Sequence, residues 1–257
     1  MTFVAGFPHS ERPVAVVTGA TGGLGAQICR TLADAGYRVV AGYRSSAETA
    51  LALVEGLPHG GHCALAAPVT DSAALARLAA DVGARYGRCD VLVNCAGTTR
   101  FVAHEDLDGL DDALIDDVLA TNVRGPFAMV RALRPLLAKS TLAGGAAVIN
   151  ISSIAAQTAM GSNVIYCASK AALDNLTKSL ARALSPEIRV VSVSPGLVDT
   201  EFVKSMDAAW RDEQASRTPL GRLAQPDEIA HAVLAAVRDL RFTTGCVLPV
   251  DGGRPLK

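Results

Sequence analysis

Tyr166 and Lys170 stand four residues apart in the run N-V-I-Y-C-A-S-K-A-A-L-D-N-L-T-K-S-L, Asn163–Leu180. Val164, Ala168, Ala171, Ala172 and Leu176 recur there at helical spacing without Pro or Gly, which predicts one helix continuing to Leu184 before Pro186. Positions four apart share a helix face, one turn from each other. A phenol ordinarily holds its proton to about pH 10, and an ammonium beside it favours the phenolate. Such a pair can give a proton to, or take one from, a carbonyl or alcohol oxygen. Tyr and Lys at this spacing are also common on helices with no chemical role, so the pair draws its weight from the rest of the chain.

A second constellation is Gly19-Ala20-Thr21-Gly22-Gly23-Leu24-Gly25, after the β-branched run Pro13–Thr18 and before an amphipathic stretch from about Ala26 to Ala35. Strand, glycine-rich turn and helix form the context of a dinucleotide-binding loop. Glycine lets the backbone approach a pyrophosphate, and the helix N-terminus offers amides and a positive dipole end. An ordinary tight turn is the alternative, and the placement after the first strand weighs against it. The next strand, Tyr37–Gly42, ends in Tyr43-Arg44-Ser45-Ser46 with no carboxylate. Folds that bind NAD commonly place Asp or Glu there, whereas NADP is met by a nearby Arg. Arg44 with two hydroxyls suits a phosphate monoester, so NADP(H) is the preferred cofactor and NAD(H) a possible one. The other reading of Arg44 is a solvated side chain paired with Glu48.

These residues need a frame to bring them together. His62–Ala67 is a weak third strand, followed by Pro68-Val69-Thr70-Asp71 and a helix to about Tyr86. Cys89–Val93 is a fourth, ending in Asn94-Cys95-Ala96-Gly97, whose small residues let the backbone lie close to a bound ring. A helical pattern from about Asp111 to Lys139 is interrupted at Thr121-Asn122-Val123-Arg124-Gly125-Pro126, which predicts a kink where Asn122 could hold water. Ala146–Ile151 delivers Ser152 and Ser153 at its C-terminal end, 13 residues before Tyr166 in the case of Ser153. Ile188–Val193 leads into Ser194-Pro195-Gly196-Leu197-Val198-Asp199-Thr200, and Cys246–Val250 is the last strand. Strands alternating with helices imply a parallel sheet whose ligand lies beyond the strands' C-terminal ends. Trp210 either anchors the loop that carries it or touches substrate, and His104 reads as a surface or capping residue rather than a metal ligand.

Composition excludes several classes. The 257 residues are 50% hydrophobic and 19% charged with net charge −1, so no broad electrostatic case exists for nucleic acid or an anionic membrane. No apolar run approaches the roughly 20 residues that span a bilayer. The first residues lack the basic start and apolar core of a secretion signal. Six cysteines without C-x-x-C spacing read as small buried hydrophobes in a reducing cytoplasm, and no metal site is expected. Residues 1–12 read as a tail and 13–257 as one unit.

Thr18-Gly19-x-x-x-Gly23-x-Gly25, Asn94-x-Ala96-Gly97, Asn122, Ser153 and Tyr166-x-x-x-Lys170, in this order, resemble the motifs of the short-chain dehydrogenase/reductase family over nearly the whole chain, about Pro13 to Gly253. The resemblance implies an α/β fold: a single Rossmann domain with a doubly wound, seven-stranded parallel sheet, helices on both faces and a substrate lid over about 197–220. It implies that Tyr166 is the proton donor in reduction and the base in oxidation, aided by Lys170. Ser153 would hydrogen-bond the substrate oxygen, and the backbone carbonyl of Asn122 would extend a proton relay through water. The implied cofactor contacts are Gly19, Thr21, Gly22, Gly23, Leu24 and Gly25 at the diphosphate, and Tyr43, Arg44 and Ser45 at the adenosine ribose. Val69 would meet the base, and Asn94, Ala96, Gly97, Tyr166 and Lys170 the nicotinamide half. Pro195, Gly196 and Val198 would lie at the carboxamide, with Thr200 on the diphosphate side.

Two positions depart from the family pattern. Cys95 replaces an Asn, and Pro68 stands where an Asp often contacts adenine, so adenine affinity should lean on Arg44. Thr99-Arg100 and the chain length look similar to 3-oxoacyl-carrier-protein reductases. Small or cyclic ketones, sugars and steroids are equally open as the small-molecule carbonyl or alcohol substrate. A cofactor-binding sensor without catalysis is the competing class, against which the complete Asn-Ser-Tyr-Lys set argues. The family's habit implies a dimer or tetramer packed through the helices that carry Asn122 and Tyr166.

Overall fold

The computed structural model describes residues 12–256. Its frame is one seven-stranded sheet, entirely parallel, in the order β3-β2-β1-β4-β5-β6-β7. The strands are β1 Val14–Thr18, β2 Arg38–Tyr43, β3 Cys63–Ala66, β4 Val91–Asn94, β5 Ala146–Ile151, β6 Ile188–Pro195 and β7 Val247–Val250. The central strands are apolar almost without alternation because helices cover both faces. Ala15, Val17, Val93, Ile149 and Val191 face α1, Gly23–Asp34, and α10, Pro226–Arg238. Val14, Val16, Leu92, Val148 and Val190 face α3, Ser72–Tyr86, α5, Gly125–Leu137, and α7, Val164–Leu184. The doubly wound seven-stranded sheet expected of this chain is thus the one it forms. Between β1 and β4 the strand order reverses, which opens a crevice beyond their C-terminal ends.

Shorter helices complete the frame: α2 Ala47–Glu55, α4 Asp112–Leu119, α6 Ala155–Thr158, α8 Glu201–Lys204 and α9 Ala208–Ser216. Two local expectations change. First, α1 begins at Gly23, not near Ala26, so the glycine turn itself forms the helix N-terminus. Second, the interruption near Asn122 is a π-helical turn, Ala120–Arg124, in which the Gly125 amide bonds the Ala120 carbonyl. Pro126, at the second position of α5 directly after that turn, has no amide to give to the carbonyls of the turn behind it. Gly125 is required by packing, since a Cβ there would lie 2.8 Å from Cγ2 of Val69.

Two buried arginines tie the sheet to its helices. Arg12, expected in a tail whose other residues lie outside those described, is buried and donates to the carbonyls of Gly36, Tyr37, His59 and Gly60. Arg189 on β6 donates to the carbonyls of Gly144, Ala236, Val237 and Leu240, satisfying the C-terminal end of α10. Arg189→Met would leave these buried carbonyls without their donor. The expected result is a fall of about 3 kcal/mol in unfolding free energy, read as a lower urea midpoint.

Candidate active site

The crevice is built from the glycine turn outward. The N-cap of α1, Gly22, is extended and offers no side-chain cap, which leaves the first amides of α1 open toward the crevice. Only glycine fits at position 25, because a Cβ there would run into the Gly19 carbonyl. Thr18 at the end of β1 fixes the facing turn: its Oγ1 accepts from the amides of Cys95 and Ala96, each at 3.1 Å. Together these segments wall a cleft of about 510 Å³ that runs from Arg44, Ser45 and Ser46, past Val69, to Gly97, Thr98 and Thr200.

Arg44 is exposed on the rim, and among the described residues it makes no ion pair with Glu48 or any other carboxylate. Tyr43, at the end of β2, is half-buried and does not line the cleft. Asp117 and Thr121, which sequence reading passed over, do line it. Pro68 contributes no polar side chain. The next carboxylate, Asp71, is used as the N-cap of α3, accepting from the amides of Ala73 and Ala74.

Asn94 turns away from the crevice. Its Nδ2 donates to Oδ1 of Asn150 at 2.8 Å, and Nδ2 of Asn150 donates to Oγ1 of Thr177 at 2.8 Å, both inside the fold. This chain locks β4 to β5 and β5 to α7, so the Asn94 side chain positions the 95–97 turn from beneath. Cys95 lies on the wall beside Leu24. Burial pushes its thiol up to about 11, against the pull of nearby Lys170, so it presents a neutral surface.

A second cavity of about 360 Å³ continues the first, sharing Leu24, Cys95, Gly97, Thr98 and Thr200 with it. Tyr166, Lys170 and Ser153 line it together, from α7 and from the end of β5. Lys170 is 6% exposed; its Nζ donates to the Ile151 carbonyl at 2.8 Å and lies 5.6 Å from the Tyr166 ring centroid. Ser153 Oγ accepts from the Ala155 amide at 3.2 Å, which leaves its own proton to donate. Pro195, Gly196 and Val198 enter the same cavity from the end of β6.

Asn122 is buried, and both ends of its side-chain amide are taken by protein groups. Its Oδ1 accepts from the Thr98 amide at 2.8 Å, and its Nδ2 donates to the Thr98 carbonyl and to Ser169 Oγ. The side chain thereby pins the 97–99 segment against α7. Trp210 is half-buried on α9 and lines neither cavity. Arginines anchor that helix instead: Arg211 pairs with Asp199 at 2.8 Å, and Arg254 donates to the Gln214 carbonyl at 2.7 Å. His104 sits on the surface beside the Gly161 carbonyl.

Among the described residues no cluster of metal-ligand side chains is found, and no helix is long and apolar enough to cross a membrane. The family described as enoyl-(acyl carrier protein) reductase matches residues 19–254. A Streptomyces violaceoruber protein named as a ketoacyl reductase of the granaticin polyketide synthase is 38% identical over 96% of this chain and 97% of its own length. The cis-4-hydroxycyclohexanecarboxylate dehydrogenase of Sinomonas cyclohexanicum is 39% identical over 96% and 98%. A solved structure from Burkholderia xenovorans, described as a short-chain dehydrogenase/reductase, superposes with a TM-score of 0.88 at 35% identity, covering 96% of this chain and 99% of the other. A chain with this sheet, this crevice and these relatives is an oxidoreductase that belongs to the short-chain dehydrogenase/reductase family.

Proposed function

We propose that the protein is an NADP(H)-preferring carbonyl reductase and alcohol dehydrogenase that reduces a 3-oxoacyl thioester. The observation that carries this reading is the convergence of Tyr166, Lys170 and Ser153 on one cavity continuous with the glycine-turn cleft. The open first amides of α1, from Gly23 on, and the bare Gly25 suit a dinucleotide diphosphate, so the residues fit the nicotinamide cofactor that the family uses. When bound, the nicotinamide supplies or accepts the hydride.

The chain's own residues do the rest. Tyr166 gives its phenolic proton to the carbonyl oxygen in reduction and takes it back from the alcohol in oxidation. Lys170, held by the Ile151 carbonyl, lies beside the Tyr166 ring and would meet the nicotinamide ribose hydroxyls. The Ser153 hydroxyl donates to the same substrate oxygen and fixes its direction. With its side chain occupied, Asn122 has its backbone carbonyl to lend to a water leading away from Lys170. Arg44 and Ser45 grip the 2′-phosphate. Residues 197–220, anchored by Arg211 and Arg254, cover the substrate.

The thioester follows from the ketoacyl reductase among the relatives; the hydroxycyclohexanecarboxylate dehydrogenase supports a cyclic ketone as the second reading. Loss of NADPH absorbance with acetoacetyl-coenzyme A, beside a cyclohexanone series, separates them. Turnover of cyclohexanones alone would overturn the thioester, and no turnover of either would favour the non-catalytic sensor. The cysteines, four of them buried, suit a reducing compartment such as the cytoplasm.

The same reading includes self-association. Exposed Asp112 and Asp116 lie on α4, and exposed Arg124, Arg131 and Arg134 further along the same helical run, with Leu119 and Phe127 exposed between them. A twofold axis would set the acids of one copy against the arginines of the other and cover the apolar pair. Light scattering is expected to give two or four times the 26.5 kDa chain mass, and Phe127→Glu to shift the protein toward monomer. A wild-type monomer would sink this part of the reading.

A further inference from the structure

Two irregular segments run side by side near the Tyr166 cavity: 98–104 after β4, which lends Thr98 and Thr99 to its lining, and 159–162 before α7. At the surface they are stitched by the Val102 amide to the Ser162 carbonyl at 2.8 Å, by the hydroxyls of Thr99 and Ser162, and by His104 to the Gly161 carbonyl. Beneath the stitches lies Asn163, fully buried, with φ −170° and ψ 170°. Both ends of its amide are used, in opposite directions. Its Oδ1 accepts from the Tyr166 amide at 2.7 Å and so caps α7. Its Nδ2 donates to the Arg100 carbonyl at 2.7 Å and to Thr99 Oγ1 at 3.2 Å.

Asn122 makes the matching bridge from the other side. It holds Thr98 by both backbone groups and reaches Ser169 Oγ, which in turn donates to the Tyr166 carbonyl at 2.7 Å. The peptide groups on either side of Tyr166 are thus tied, by two buried asparagines, to the segment that lends Thr98 and Thr99 to the lining of the same cavity.

We infer that Asn163 is a positioning residue: it sets the spacing between the Tyr166 turn and the Thr98–Arg100 segment, whose first two residues line the cavity, and thereby which carbonyl compounds reach the phenol in register. The inference rests on the reading of Tyr166 as the proton donor. It gives the sequence position before the helix a second task that capping alone does not require, since Ser or Asp caps as well as Asn.

That equivalence supplies the test. Asn163→Ser keeps a capping oxygen but is too short to reach the Arg100 carbonyl, and Asn163→Asp keeps the cap while placing a second acceptor against that carbonyl. In both variants amide exchange over 99–102 should accelerate about tenfold while 164–168 keeps its protection. NADPH affinity, followed by fluorescence, should stay within about twofold. With acetoacetyl-coenzyme A or cyclohexanone, whichever the wild type reduces, KM should rise about tenfold and kcat change by less than about threefold. A merely structural Asn163 would lower the melting temperature and leave KM alone, which would overturn the inference; so would unchanged exchange over 99–102. Should the wild type reduce neither compound, the substrate reading fails by itself, and the exchange comparison still decides the bridge.

Discussion

Tyr166→Phe is expected to cut turnover about a thousandfold while NADPH still binds within about threefold, as befits loss of a positioned general acid. The size of the effect follows from what the substitution leaves untouched. Among the described residues the phenolic oxygen makes no hydrogen bond, so its removal strands no partner. Phe keeps the ring that Lys170 faces at 5.6 Å, and Lys170 keeps the Ile151 carbonyl. The 95–97 turn is held by Thr18 and Asn94, neither of which bonds the hydroxyl. The variant should therefore melt with the wild type, bind cofactor and fail only in proton delivery. Single-turnover oxidation of bound NADPH reads that step directly. Turnover within tenfold of wild type would remove Tyr166 from the mechanism.

Arg44→Asp is expected to weaken NADPH binding about a hundredfold and to improve NADH relative to it, through loss of charge-assisted bonds to the 2′-phosphate and gain of an acceptor for ribose hydroxyls. Arg44 is exposed and makes no ion pair among the described residues, so the substitution disturbs no internal contact. Because the site is open to solvent, the wild-type preference should shrink as salt is raised. Fluorescence titration of both cofactors at two salt concentrations checks each statement. A wild type that binds NADH as tightly as NADPH would make Arg44 a bystander.

The strands and the ordered motifs were legible in the sequence because their signals are local. Short apolar runs end in glycine, proline or small polar residues, and a buried parallel strand needs nothing more to be recognised. The four-residue spacing of Tyr166 and Lys170 places them on one face of any helix. The departures at Cys95 and Pro68 were equally plain, as was the absence of a carboxylate after β2.

Other features depend on which strands become neighbours, and no local pattern encodes that. Arg12 falls in the stretch read as a tail and Arg189 inside the run read as a strand, and neither pattern announces burial. They are buried because carbonyls from turns and helix ends, 24 to 48 residues away for Arg12, converge where the sheet brings them. Asn94 follows a strand as a ligand contact would, yet it faces Asn150, 56 residues on, because β4 pairs with β5. Asn163 opened the run read as a helix, whereas its place as the N-cap and its hold on Arg100, 63 residues back, appear only in the finished fold. The chemistry of this chain is thus set by residue types at helical and turn spacing. The placement of that chemistry is decided by long-range hydrogen bonds, since a buried amide or guanidinium is stable only where the finished fold supplies its partners.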